Sequence, residues 1–195
     1  MPAAVQTEYL YDAGLLPQQL LSSLPAGLSL RPLAASDYAR GHLELLTHLT
    51  AAPDVGQQAW SNRFEELKRV NAAQLTYLPV VIVEDEADRI VGQATVFLER
   101  KFLRNAGLCG HIEDVVVDPR MQGKKLGLKL IEVLTALSEH AGAYKVRAGP
   151  RLPFFCGSGP DPLHAYLQTI LDCDPKNEGE RCCGGFDSTG FCFRT

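Results

Sequence analysis

The run QGKKLG, Gln122 to Gly127, places two glycines and two lysines immediately before an apolar helical pattern. A helix N-terminus exposes unpaired backbone N–H groups and the positive end of the helix macrodipole. Glycine lets successive amides approach a bound anion closely, and lysine adds positive charge. The turn is therefore a candidate cradle for a small anion. A solvated surface turn is the alternative, because neither a G-x-x-x-x-G-K-S/T phosphate loop nor a G-x-G-x-x-G dinucleotide motif occurs.

Two acidic residues precede this turn in GHIEDVVVDP, an apolar run that is typical of a strand. Glu113 and Asp114 stand in its middle, where burying a carboxylate is costly. Neighbouring strand residues point to opposite faces, so we expect two acids with separate roles rather than an acid/base pair. The alternative is that both charges reach solvent at the strand end. His111, in the same run, is expected to be structural rather than a base.

The composition favours one soluble globular domain over residues 1–195, since the chain is 46% hydrophobic and 22% charged. Its formal net charge of -4 argues against a nucleic-acid partner. No apolar run is long enough for a membrane span, and the N-terminus lacks the pattern of a secretory signal. Six scattered cysteines without a C-x-x-C pair argue against a disulfide framework and a metal site. We therefore expect a cytoplasmic protein with reduced thiols and no metal.

The first half of the chain predicts helices around one short strand. Residues 1–26 are irregular, and LSLRP at 28–32 reads as a strand. An amphipathic helix is expected after a cap at Ser36 or Asp37, and a second helix over 56–73.

The second half predicts most of the sheet. Residues 76–85 and 89–101 are separated by a short turn, which indicates an antiparallel hairpin. The acidic strand ends at Asp118, because the following proline cannot continue it. A helix is expected to begin near Leu126, and AYKV starts another strand at Ala143.

Four stretches carry a family resemblance: LRPLAASDYARGHLELLTHLT, ERKF, GLCGHIEDVVVDPRMQGKKLG and LDCDPKN. With the YK pair at 144–145, they resemble the GNAT superfamily of N-acetyltransferases, and within it the glucosamine-6-phosphate N-acetyltransferases. The resemblance implies an α/β GNAT fold, with a central twisted mixed β-sheet flanked by helices. Acetyl-CoA would then lie in a notch between two strands, with its diphosphate on the Gly/Lys turn.

The resemblance also implies an acyltransferase activity. Acetyl would pass directly from acetyl-CoA to the 2-amino group of glucosamine 6-phosphate, without an acyl-enzyme. The product, N-acetylglucosamine 6-phosphate, would serve UDP-N-acetylglucosamine synthesis. Family members form homodimers partly through C-terminal strands, which are not recognisable in this chain.

Carried over residue by residue, the resemblance assigns catalytic roles to Glu113, Asp114 and Asp172, the first two also lining the sugar site. Arg100 and Lys101 are candidates for the sugar phosphate, from the same or a partner subunit, and a solvated edge-strand cluster is the alternative. Acetyl-CoA would be bound by Val115, Val116, Val117, Gln122, Gly123, Lys124, Lys125, Leu126, Gly127 and Asn177.

The sequence departs from the family pattern at two places. Residues 147–169, rich in glycine and proline, interrupt what should be one strand, so we expect them to be looped out. Arg181 stands where the family has a tyrosine that assists the leaving thiolate. Removing Val146 to Gln168 leaves AYKTILDCD, a sound family strand, which suggests retained intron sequence.

Two other functions stay open. A different amine acceptor is compatible with the same acetyl-CoA site. A catalytically impaired chain that binds CoA is compatible with the altered C-terminus.

Overall fold

The computed structural model of the chain describes residues 7–148. Its strands are β1 (Leu28–Pro32), β2 (Tyr77–Glu84), β3 (Arg89–Arg100), β4 (Leu108–Val117) and β5 (Ala143–Ala148). Its helices are α1 (Gln18–Leu21), α2 (His42–Leu46), α3 (Gln57–Ala73), α4 (Leu103–Ala106) and α5 (Leu126–His140). Short 3₁₀ turns cover Ala13–Leu15 and Pro119–Met121.

The five strands form one mixed sheet in the order β1-β2-β3-β4-β5. The first three pairings are antiparallel, and β4 pairs with β5 in parallel. The hairpin predicted for 76–85 and 89–101 is confirmed as β2 and β3. A parallel pair needs a crossover, and α5 provides it between β4 and β5. The mixed sheet flanked by helices agrees with the predicted α/β architecture.

The two faces of the sheet carry different helices. A Cβ added to Gly92 of β3 would lie 3.6 Å from Leu130 Cδ1, so this face packs on α5. The next residue, Gln93, must point to the opposite face, where it contacts His42 of α2. The apolar side of α5 is fully buried, as its helical spacing predicts: Leu130, Ile131, Leu134 and Leu137. Within the described part of the chain, no helix is both long and apolar enough to cross a membrane.

The helix expected after Ser36 or Asp37 is much shorter than predicted. It begins at His42, after Gly41 in a left-handed conformation, and ends at Leu46. The buried Asp37 carboxylate is instead held by Arg31 at 2.7 Å and by the Ala34 N–H at 2.8 Å. It therefore stabilises the turn after β1 and caps no helix.

The looped-out segment predicted from residue 147 begins later than expected. Arg147 and Ala148 belong to β5 and pair with His111 and Ile112 of β4. They continue the strand because Val146 is buried and Arg147 is exposed, which is the alternation of a strand with one covered face. The rest of that segment lies outside the described residues.

Candidate functional site

The centre of the candidate site is a β-bulge in β4. Thr95 of β3 pairs with Glu113 and Gln93 pairs with Val116, so Asp114 and Val115 together face one residue of β3. Asp114 has a φ of 53°, a left-handed conformation that aspartate tolerates better than most residues. Bulges of this kind re-aim side chains and are frequent beside active sites.

The bulge corrects the predicted placement of the two acids. Glu113 and Asp114 are both exposed, so neither carboxylate bears the cost of burial that the apolar run suggested. Simple alternation to opposite faces is also interrupted, because the extra residue breaks the two-residue period. Glu113 shares the face of its partner Thr95, which is the face that carries α2.

The edge of β4 opens beside this bulge. Pairing with β5 runs from Leu108 to Ile112, and within residues 7–148 the stretch from Glu113 to Val117 pairs only with β3. The backbone groups of this stretch that face away from β3 have no strand partner in that range. Val116 is buried, while Val115 and Val117 are half-buried. This free edge lies next to the acids and leads directly into the Gly/Lys turn.

The turn after β4 is anchored by Asp118. Its carboxylate, 2% exposed, accepts a hydrogen bond from the Arg120 N–H at 2.9 Å and pairs with both Arg120 and Arg89. Hydrogen bonding to the Arg120 side chain is the main cause that lowers the pKa of Asp118 to about 2. The carboxylate is therefore ionised at neutral pH and fixes the start of the turn.

The turn itself presents a row of free backbone amides. Gly123 has a φ of 83°, which a side chain would strain, and Lys125 at 57° is the N-cap of α5 without any side-chain cap. The backbone N–H groups from Gly123 to Leu128 donate no hydrogen bond to any of the described residues. The Leu126 side chain is buried, so only its backbone faces the turn. Together with the helix macrodipole, these donors form an anion-binding concavity.

Arg100 and Lys101 lie at the far end of β3. Arg100 is five residues from Thr95, about 17 Å along the strand, which is farther than a hexosamine phosphate extends. The Arg100 guanidinium donates to the Leu75 carbonyl at 3.3 Å, and Lys101 pairs with Glu99 at 2.6 Å. In this subunit the two cations are therefore engaged with other groups at the far end of β3 from Glu113.

His111 belongs to a small polar cluster on the sheet face that carries α2. Its Nε2 lies 2.8 Å from Glu99 Oε2, and the ligand atoms of Glu99, Cys109 and His111 lie within 4.8 Å of one another. These residue types are ones that a transition metal accepts. In this structure, however, the Glu99 carboxylate already forms an ion pair with the Lys101 ammonium.

A cavity of about 390 Å³ lies on the same sheet face, between α2, α3 and the strands. Leu33, Val55, Phe64 and Pro79 give it apolar walls, and Trp60, Tyr77, His42 and Gln93 add polar groups. Thr95, beside it, has a buried hydroxyl oxygen without a hydrogen-bond partner among the described residues. No sequence pattern indicates this cavity, since its residues are scattered over separate elements. The remaining predicted residues, Asp172, Asn177 and Arg181, lie outside the described part of the chain.

Comparison with known proteins agrees with this geometry. The family model described as "Acetyltransferase (GNAT) family" matches residues 42–153. "Glucosamine 6-phosphate N-acetyltransferase 1" of Dictyostelium discoideum is 40% identical over 120 residues, which are 62% of this chain and 74% of that protein. The probable glucosamine 6-phosphate N-acetyltransferase of Drosophila melanogaster is 32% identical over 160 residues, 75% of this chain and 71% of that protein.

A solved structure gives the same result at the level of the fold. Glucosamine-6-phosphate N-acetyltransferase from Arabidopsis thaliana superposes with a TM-score of 0.60 at 38% identity. The match covers 64% of this chain and 83% of that one. The family model, the relatives and the fold agree, and the chain belongs to the GNAT family of acetyltransferases.

Proposed function

We propose that this chain transfers acetyl from acetyl-CoA to the 2-amino group of glucosamine 6-phosphate. The observation that carries the proposal is the row of free amides from Gly123 to Leu128, placed at the end of a bulged strand with an open edge. Relatives at 30–41% identity that are named for this reaction support the choice of acceptor.

The residues present fit acetyl-CoA. The turn from Gln122 to Gly127 would hold the diphosphate through its backbone N–H groups from Gly123 onward, since the Gln122 N–H donates to the Pro119 carbonyl at 3.3 Å. Lys124 and Lys125 would add charge. Val115, Val116 and Val117 on the open edge would pair with the amide-containing arm, as an added strand pairs with a free sheet edge. Bound there, acetyl-CoA supplies a thioester carbonyl as the electrophile.

The chain's own groups then orient and deprotonate the acceptor. The exposed carboxylates of Glu113 and Asp114 would hold the amine beside the open edge and take up its proton. Backbone N–H groups of the bulge that face away from β3 would stabilise the developing oxyanion. Asp172, Asn177 and the leaving thiolate's partner belong to the same proposal, which for these rests on the resemblance alone.

The sugar phosphate requires cations, and within residues 7–148 Arg100 and Lys101 lie at the far end of β3 from Glu113. We therefore propose a homodimer in which Arg100 and Lys101 serve the partner's site. Fully exposed Phe102, together with Leu103 at 72% exposure, lies directly beside this pair. Exposed apolar side chains next to cations are typical of a protein interface. Sedimentation of the full chain tests this homodimer. A chain that is monomeric at all concentrations would contradict it, because no partner would then supply Arg100 and Lys101 to the sugar phosphate.

The experiment for the main proposal is a thiol-release assay on the full chain with acetyl-CoA. Glucosamine 6-phosphate, glucosamine and an amine-bearing peptide are offered at equal concentration. We expect release with glucosamine 6-phosphate, and much slower release with the other two. Release with the peptide alone would reject this acceptor, and binding of acetyl-CoA without any release would support a CoA-binding chain that has lost catalysis. Glu113→Gln is the matched inactive control.

A further inference from the structure

The cavity described above contains one polar side chain that is buried yet unpaired on one side. Gln93 of β3 is 2% exposed, and its only hydrogen bond among the described residues joins its Oε1 to His42 Nε2 at 2.5 Å. Its amide nitrogen carries two N–H donors, and the residue lines the cavity. These donors face the cavity, where a water or a ligand oxygen can accept from them.

The orientation of this amide is fixed by two further residues. Trp60 Nε1 can only donate, and it donates to His42 Nδ1 at 3.0 Å. His42 Nδ1 is therefore an acceptor, so the ring hydrogen sits on Nε2 and is donated to Gln93 Oε1. Burial lowers the pKa of His42, which keeps the ring neutral and preserves this order of donors. The amide of Gln93 is thus turned with its N–H₂ group away from His42.

The cavity lies beside the predicted reacting groups. Gln93 is two residues from Thr95 on the same strand face, about 7 Å away, and Thr95 pairs with Glu113. A hexosamine whose amine lies at Glu113 is long enough to reach the amide of Gln93. The buried, stacked rings of Trp60 and Phe64 supply the flat apolar wall against which a sugar ring packs.

We propose that Gln93 is a specificity-determining residue that donates hydrogen bonds to an oxygen of the acceptor sugar, with His42 and Trp60 as positioning residues. This inference rests on the proposed function and adds the group that selects the acceptor. The three residues are far apart in sequence, and together they provide a polar anchor beside the apolar walls of the cavity.

The test uses two substitutions at Gln93 and one matched control. Gln93→Met keeps the length of the side chain and removes both donors. Gln93→Glu keeps an acceptor for His42 but replaces the N–H donors with a carboxylate oxygen, which can only accept. The control is Gln58→Met, since Gln58 is exposed on α3 and bonds only Asn62.

We expect Gln93→Met to raise the KM for glucosamine 6-phosphate about threefold to tenfold, the range for one lost neutral hydrogen bond. Gln93→Glu, which also lacks the donors, should raise the KM as well, and Gln58→Met should leave it unchanged. His42→Phe removes the acceptor of the Trp60 indole N–H and frees the Gln93 amide to rotate. It should give a smaller rise in KM with kcat retained, because both Gln93 donors remain. The dissociation constant of acetyl-CoA should stay the same in every variant, which also shows that the fold is intact.

Trp60 is the only tryptophan of the chain, so its fluorescence reports on this cavity alone. Titrating glucosamine 6-phosphate into the wild-type complex with CoA should change its emission. An unchanged emission, or an unchanged KM in both Gln93 variants of an active enzyme, overturns the inference while the proposed function stands. A wild-type chain that releases no thiol with this sugar overturns the proposed function and this inference with it.

Discussion

Substitution of Gly127 by alanine separates the stability of the turn from its capacity to bind a diphosphate. Without ligand, a Cβ at this position meets only Val117 Cγ2, at 3.9 Å, which is ordinary contact. Its φ is not positive, unlike that of Gly123. Alanine is favoured over glycine in helices by up to about 1 kcal/mol. In the first turn we expect about half of that, which raises the Tm by about 1–2 °C.

Binding of acetyl-CoA should change in the opposite direction. If the diphosphate lies on the amides of the turn, the added methyl group occupies the space of a phosphate oxygen. Losing one charge-assisted hydrogen bond costs about 1.5–3 kcal/mol, which weakens binding about tenfold or more. Calorimetric titration with acetyl-CoA measures this directly.

Acetyl-pantetheine, which lacks the diphosphate, is the control ligand for Gly127→Ala. Its binding should be the same in wild type and variant, because the open edge of β4 is unchanged. A variant with the raised Tm but an unaltered affinity for acetyl-CoA would refute a diphosphate on this turn.

Four further predictions concern three individual residues and one segment of the chain. Asp114→Asn should keep the Tm but lose thiol release. Asp114→Val should lower the free energy of unfolding by about 1–2 kcal/mol, because a β-branched residue is strained at this φ. Equal Tm values for the two variants would contradict the bulge. The lowered pKa of Asp118 stabilises the folded state at pH values above 3.8, the ordinary pKa of this group. That stabilisation is lost as the pH falls towards 2. Urea unfolding should therefore show Arg120→Gln to be less stable than wild type at pH 6, with the gap closing near pH 2. Burial lowers the pKa of His42, so as the pH falls below 6.5 the unfolded chain is protonated first and the free energy of unfolding decreases. His42→Phe should remove that part of the decrease. Identical pH profiles for the variant and the wild type would exclude a neutral buried ring. Deleting residues 146–168 should increase thiol release, since the family-like strand AYKTILDCD becomes continuous; a decrease would show that the intact chain needs them.

The elements with a clear period could be predicted from the sequence. The apolar spacing after the Gly/Lys turn predicts a helix from Leu126, and α5 begins there. The strand at 28–32 and the helix over 57–73 agree with their patterns, because each has one buried side and recognisable breakers next to it. The short length of α2 could not be predicted, because Asp37 is a typical helix cap in sequence, whereas in the structure its carboxylate pairs with Arg31.

The candidate site could be predicted only in part. The row of amides follows from local glycines and lysines, so the turn was found. The bulge at Asp114 depends on the register between β3 and β4, which no local pattern specifies. Gln93, His42 and Trp60 meet only through tertiary packing, and a lone glutamine in an apolar strand gives no signal of its own.

A crystal structure of the chain with bound CoA is the most direct test of the central claim. We expect diphosphate oxygens within about 3 Å of backbone nitrogens from Gly123 to Gly127, and the thiol beside the bulge at Asp114. A diphosphate bound elsewhere, with these amides facing solvent, would contradict it.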